Sequence, residues 1–108
     1  MESKPVLWMV GSEIVPEREQ EFNEWYDRVH VPMVLECPGV MRASRYQIVE
    51  PVPGLTKYLA IYELANEATI RAVNESPQLL AAREDRIKRF GETDLSIKWR
   101  VYYKQITP

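Results

Sequence analysis

The chain has 108 residues, 45% of them hydrophobic and 28% charged, with a formal net charge of −2. That length fits a single domain, residues 1–108, with one modest core, too small to wall a large ligand cavity alone. The mildly acidic balance gives no electrostatic footprint for nucleic acid. The one cysteine, Cys37, excludes an intrachain disulfide and fits a reducing, cytoplasmic setting.

The N-terminal stretch holds only a short apolar run, Val6–Val10, too brief for a signal-peptide core or a membrane span. The run reads instead as a strand buried on both faces. Pro16 opens a helix at the first-turn position, with Glu17 and Glu19 near its positive end. Phe22, Trp25, Tyr26, Val29 and Met33 then form one apolar stripe of helical period. Pro32 predicts a break or kink near His30–Val31, and Pro38-Gly39 closes the segment. Val40–Glu50 follows as a strand, with Val40, Arg42, Ser44, Tyr46 and Ile48 on one face. Met41, Ala43, Arg45, Gln47 and Val49 fall on the other.

A turn at Pro51–Gly54 leads to a third strand, Thr56–Leu64. Asn66 caps a short helix through about Val73, and Ser76-Pro77 starts another. Leu79, Leu80, Arg83, Ile87 and Phe90 give that helix its apolar side, and Gly91 stops it. Its basic residues Arg83, Arg86, Lys88 and Arg89 alternate with Glu84, Asp85 and Glu92, the pattern of a solvated face. The last strand is Ser96–Ile106. It sets Ile97, Trp99, Val101 and Tyr103 against Lys98, Arg100, Tyr102 and Lys104.

The order is β–α–β–β–α–β, an α+β, ferredoxin-like arrangement with a four-stranded antiparallel sheet. Two helical segments cover only one face of such a sheet, yet the first and third strands are apolar on both. A second copy packed sheet against sheet is the expected cover.

His30 is the only histidine. At about 100° per residue it lies on the flank of the stripe with Asn23, Tyr26 and Asp27. Asp27 is three positions earlier and Tyr26 four, within side-chain reach on a helix. A carboxylate, a phenol and an imidazole together suit acid–base work. The competing reading has His30 capping the helix end, Tyr26 in the core and Asp27 in solvent. Arg42 and Arg45 point to opposite faces of their strand, so one of them is a candidate for an anion, or for a surface ion pair. Tyr46, Tyr58 and Tyr62, with Trp8 and Trp99, line either an aromatic cavity or plain core and interface. One histidine and one cysteine supply no zinc-type ligand set, and no nucleotide-binding or serine-hydrolase motif is present.

The stretch Glu21–Gln47 resembles a pattern of the dimeric α+β barrel superfamily, especially its EthD-like branch. Phe22, Trp25, Tyr26, Asp27, His30, Pro32, Pro38, Gly39, Arg45 and Tyr46 stand at the matching places. The resemblance implies a homodimer whose sheets pack into a barrel, each subunit keeping a small-molecule pocket between sheet and helices. It implies that His30 faces that pocket. The function it suggests is a small cofactor-free lyase, isomerase or cyclase acting on an aromatic or enolisable metabolite, or a non-catalytic binding protein for a hydrophobic one. In the enzymatic case His30, Tyr26 and Asp27 are the catalytic set, without a metal, and Arg45, Trp25, Tyr46, Tyr62 and Trp8 contact the substrate.

Overall fold

The computed structural model describes residues 4–108; the first three residues of the N-terminal stretch lie outside the described region. Strands β1 (Val6–Ile14), β2 (Val40–Gln47), β3 (Tyr58–Leu64) and β4 (Leu95–Lys104) form one sheet in the order β2-β3-β1-β4. Every pairing is antiparallel. This is the ferredoxin-like arrangement expected from the sequence. The first crossover carries a 3-10 turn (Pro16–Arg18), α1 (Glu19–Trp25), a π-helical turn (Tyr26–His30) and α2 (Val31–Leu35). The second carries α3 (Ala68–Asn74) and α4 (Pro77–Phe90).

The helix ends follow from local chemistry. Ser76 Oγ accepts the Leu79 amide at 3.2 Å and Pro77 takes the first turn, so α4 starts where its unpaired N–H groups are served. Gly91, at φ 66°, ends α4 in a conformation that a side chain disfavours. Asn66 Oδ1 accepts the Thr69 amide ahead of α3. Among the described residues no helix is long and apolar enough to cross a membrane.

All helices lie on one face of the sheet, and the core fills the space between. Val6, Trp8 and Val10 of β1 and Tyr58, Ala60, Tyr62 and Leu64 of β3 meet Phe22, Trp25 and Tyr26 from the first crossover. Val34, Cys37, Val73, Leu79, Ala82, Phe90 and Leu95 complete it. Burying this apolar surface is the main stabilising term, at about 25 cal/mol per Å² removed from water.

Four expectations need correction. Strand β1 is not buried on both faces within the chain, because Leu7 remains open. In β2 the register slips between Val40 and Arg42, leaving Met41 as the extra residue. Val40 therefore packs on the core with Ala43 instead of sharing a face with Arg42. In β4 a second slip, opposite Gly11/Ser12, skips Lys98 and turns Ile97 inward, away from the Trp99 face. On α4 the buried stripe runs through Leu79, Ala82 and Phe90, while Leu80 and Ile87 point to solvent.

Gly11 is required by close approach. A Cβ there would collide with the Trp99 ring and stand 2.6 Å from Thr56 Oγ1. Gly11→Ala should lower stability by about 1–3 kcal/mol, read as a lower urea midpoint with an unchanged slope. An unchanged midpoint would mean that Trp99 moves aside freely.

Candidate functional site

The site is built by the π-helical turn. Pro32 has no N–H to give, and its ring crowds the carbonyl four residues back. The helix does not break there, as the sequence suggests, but widens. The Val31 amide reaches back to the Tyr26 carbonyl, five residues away, and the helix runs on to Leu35. The widened turn swings His30 inward, where it is only 7% exposed.

Its imidazole stacks on the Trp25 indole, centroids 4.7 Å apart at 29°, and meets the Tyr26 ring edge-on at 4.9 Å. Trp25 is in turn held from α4, donating through Nε1 to Asp85 Oδ2 at 2.8 Å. Asp85 thereby sets the indole plane against which the imidazole lies.

His30 opens on a small cavity between sheet and helices. Trp8 and Val10 of β1, Tyr62 of β3 and Ile97 of β4 form its floor, and Arg100 lies across from Leu79, Arg83 and Arg86 of α4. The enclosed volume is about 20 Å³, room for one water molecule. Three of the lining residues carry a buried polar atom outside ordinary hydrogen-bond geometry, Trp8 Nε1, His30 Nδ1 and the Tyr62 hydroxyl, the last of which leans on the Tyr26 hydroxyl. Each such group costs about 1–3 kcal/mol when left unsatisfied, so three on one cavity mark a place prepared for a polar guest.

Electrostatics sharpens the picture. Burial, reinforced by the positive charge of Arg86, pushes the His30 pKa down to about 4. Asp85 pulls the other way, while Arg45 and Arg83 add to the depression. At neutral pH the imidazole is the free base. Burial raises the Tyr62 phenol well above its ordinary range, and raises Tyr26 too. The two hydroxyls influence each other across the cavity, short of ordinary hydrogen-bond geometry for Tyr62. Both phenols are therefore proton donors.

The expected site residues divide. Tyr26, His30, Trp8 and Tyr62 line the cavity, and Trp25 backs the imidazole. Asp27 does not approach His30; the widened turn leaves its carboxylate on the surface, paired with Arg45 Nη1 at 2.8 Å. Arg45 also bonds Asn23 at 2.8 Å and lies 4.3 Å over the Tyr26 ring, so its charge is spent outside the cavity. Tyr46 projects from the opposite face of the sheet, beside Leu59 and Trp99. The cationic residues that line the cavity are Arg83, Arg86 and Arg100; sequence patterning put Arg83 on the apolar side of its helix as well as in the solvated charge pattern, Arg86 in that pattern alone, and Arg100 on the strand face with Lys98, Tyr102 and Lys104. Their signal was present: Leu79, Arg83, Arg86 and Phe90 follow helical spacing along the inward stripe of α4. Among the described residues no cluster of His, Cys, Asp and Glu is arranged to hold a metal.

Residues 5–103, nearly the whole described chain, match the model of a domain of unknown function, DUF4286. The chain belongs to the DUF4286 family. No curated protein matches it. Solved structures with the DUF4286 chain's fold include an EthD family protein of Bacillus halodurans, 19% identical with a TM-score of 0.69, aligned over 95% of this chain and 99% of that one. HapK of Hahella chejuensis is 12% identical with a TM-score of 0.71, over 95% and 94% of the two chains. A dimeric ferredoxin-like protein of unknown function from Thermobifida fusca is 13% identical with a TM-score of 0.58, over 95% and 91%. At these identities the likeness is one of fold, and it bears out the ferredoxin-like, EthD-type architecture read from the sequence for this DUF4286 domain.

Proposed function

We propose that the cavity beside His30 receives a small enolisable metabolite and that His30 moves a proton on it, without a cofactor. The observation that carries this reading is the unpartnered Nδ1 of a buried, uncharged imidazole, set among two further unpartnered donors. In such a step a C–H proton next to a carbonyl passes to the imidazole, and its electron pair moves to the carbonyl oxygen. In this reading the Tyr62 hydroxyl and Trp8 Nε1–H, neither in an ordinary hydrogen bond, stabilise that oxyanion. Returning the proton at another carbon gives an isomerase; expelling a leaving group gives a lyase. Both are redox-neutral and use only these side chains.

The test needs no knowledge of the product. Small ketones and lactones incubated in deuterium oxide should lose α-protons by NMR faster with the protein than without it. His30→Gln should slow that exchange by about 100-fold or more. Exchange undiminished in the variant would remove His30 from the chemistry.

A second reading, a binding protein that leaves its ligand intact, draws on the aromatic lining of Trp8, Tyr26 and Tyr62. Tight binding without exchange would select it.

The assembly proposed is a homodimer through the face of the sheet away from the helices. That face carries a groove of about 680 Å³ lined by Met9, Leu59, Ile61, Trp99, Val101 and Tyr103. The Thermobifida fusca neighbour is described as dimeric, which supports a second copy as the cover. The single cysteine, buried in the core, suits a reducing cytoplasm.

A further inference from the structure

Three arginines line the His30 cavity, none of them in an ion pair with a carboxylate among the described residues. Arg83 and Arg86 reach it from α4 and Arg100 lies at its mouth on β4. Arg83 instead donates to the Asn74 side chain at 3.2 Å. Asp85 on the same helix is engaged by Trp25, and the charge of Glu92, just past the end of α4, acts on Arg86. Grouping like charges beside a partly buried cavity is unfavourable unless an opposite charge completes it. The same cavity is lined by Trp8, whose Nε1 has no acceptor, and by Tyr62, whose hydroxyl leans on Tyr26 short of ordinary hydrogen-bond geometry. Every free group there except His30 Nδ1 offers a hydrogen.

We propose that the site takes a planar monocarboxylate, its charge held by Arg86 and Arg100 at the cavity that His30, Trp8 and Tyr62 also line. The inference rests on the reading of this cavity as a ligand pocket and names the class of ligand. An inner volume of about 20 Å³ admits a single ligand oxygen. The guanidinium fork suits the bidentate face of a carboxylate. A carboxylate there also faces the charges that disfavour imidazolium, so its arrival makes His30 a stronger base at the moment substrate is present.

The experiment is calorimetric titration at pH 7 with benzoate, its neutral near-isostere benzamide, and inorganic phosphate. The His30 ring resonances are followed in parallel through a pH series. Benzoate should bind about tenfold or more tighter than benzamide or phosphate and should raise the midpoint of the His30 titration. Arg86→Gln and Arg100→Gln should each weaken benzoate by about tenfold and leave benzamide unchanged. Neither should melt earlier than the parent protein, since each removes repulsion. Benzamide binding as tightly as benzoate would overturn the anion assignment while leaving the pocket intact. Phosphate binding the more tightly would overturn the carboxylate. Silence from all three probes alongside His30-dependent deuterium exchange would likewise overturn this inference and leave the proposed reaction standing.

Discussion

Acidification from pH 7 to pH 4 should remove about 3 kcal/mol of stability through His30 alone. The unfolded chain takes up its histidine proton near pH 6.5, whereas the folded protein resists until about pH 4. Between those values the unfolded state binds more protons, so stability falls as pH falls. The contribution is complete above 6.5 and lost progressively down to about 4, and each unit of pH in the window is worth about 1.4 kcal/mol. The cause is chiefly burial against Trp25 and Tyr26, with Arg86, Arg45 and Arg83 opposing the charge and Asp85 alone favouring it. Urea unfolding at pH 7, 5.5 and 4 of the parent and of His30→Gln measures the effect. Glu19 and Glu21 are held below the usual carboxylate range by hydrogen bonds from Lys57 and Tyr58 and from Arg18, and they also lose stability in acid. They do so in both proteins, so the difference isolates the imidazole. Parallel pH profiles would show that it titrates normally.

Ile61→Glu should convert the proposed dimer to a monomer. Ile61 stands in the middle of the open sheet face, paired with Met9 on one side and Ser44 on the other. In the single chain this residue is only partly covered, so a carboxylate there is tolerated. Under a second sheet it would be stripped of water with no cation opposite, a cost of about 2–5 kcal/mol, or roughly 30-fold or more in affinity. Sedimentation across a concentration series checks it, with Leu80→Lys on the outer face of α4 as the control that leaves the mass unchanged. A dimer that survives Ile61→Glu would place the interface elsewhere.

The order of elements was legible because it rests on local chemistry. Ser76-Pro77 and Gly91 bound α4, Pro38-Gly39 closes the first crossover, and alternation marks the strands. The faces were legible only in part. An extra residue at Met41, and another at Lys98, inverts the phase of everything beyond it, and nothing in composition announces either. The candidate site suffered most from the π-helical turn. It carried Asp27 away to Arg45 and brought His30 under Trp25, whereas ordinary helical spacing put Asp27 beside His30. The arginines were missed for another reason: alternating charge signals a solvated face only when no apolar stripe runs through it, and one ran through Arg83 and Arg86.

The contact between Gly11 and Trp99 has an optical consequence. Trp99 lies against the sheet on the open face, while Trp8 and Trp25 stand on the other side around His30. The three indoles thus form two separate fluorophore populations divided by the sheet. Emission from Trp99 responds to whatever covers the open face, and emission from Trp8 and Trp25 responds to whatever enters the cavity. With Trp99→Phe the remaining light reports occupancy alone, without an added label.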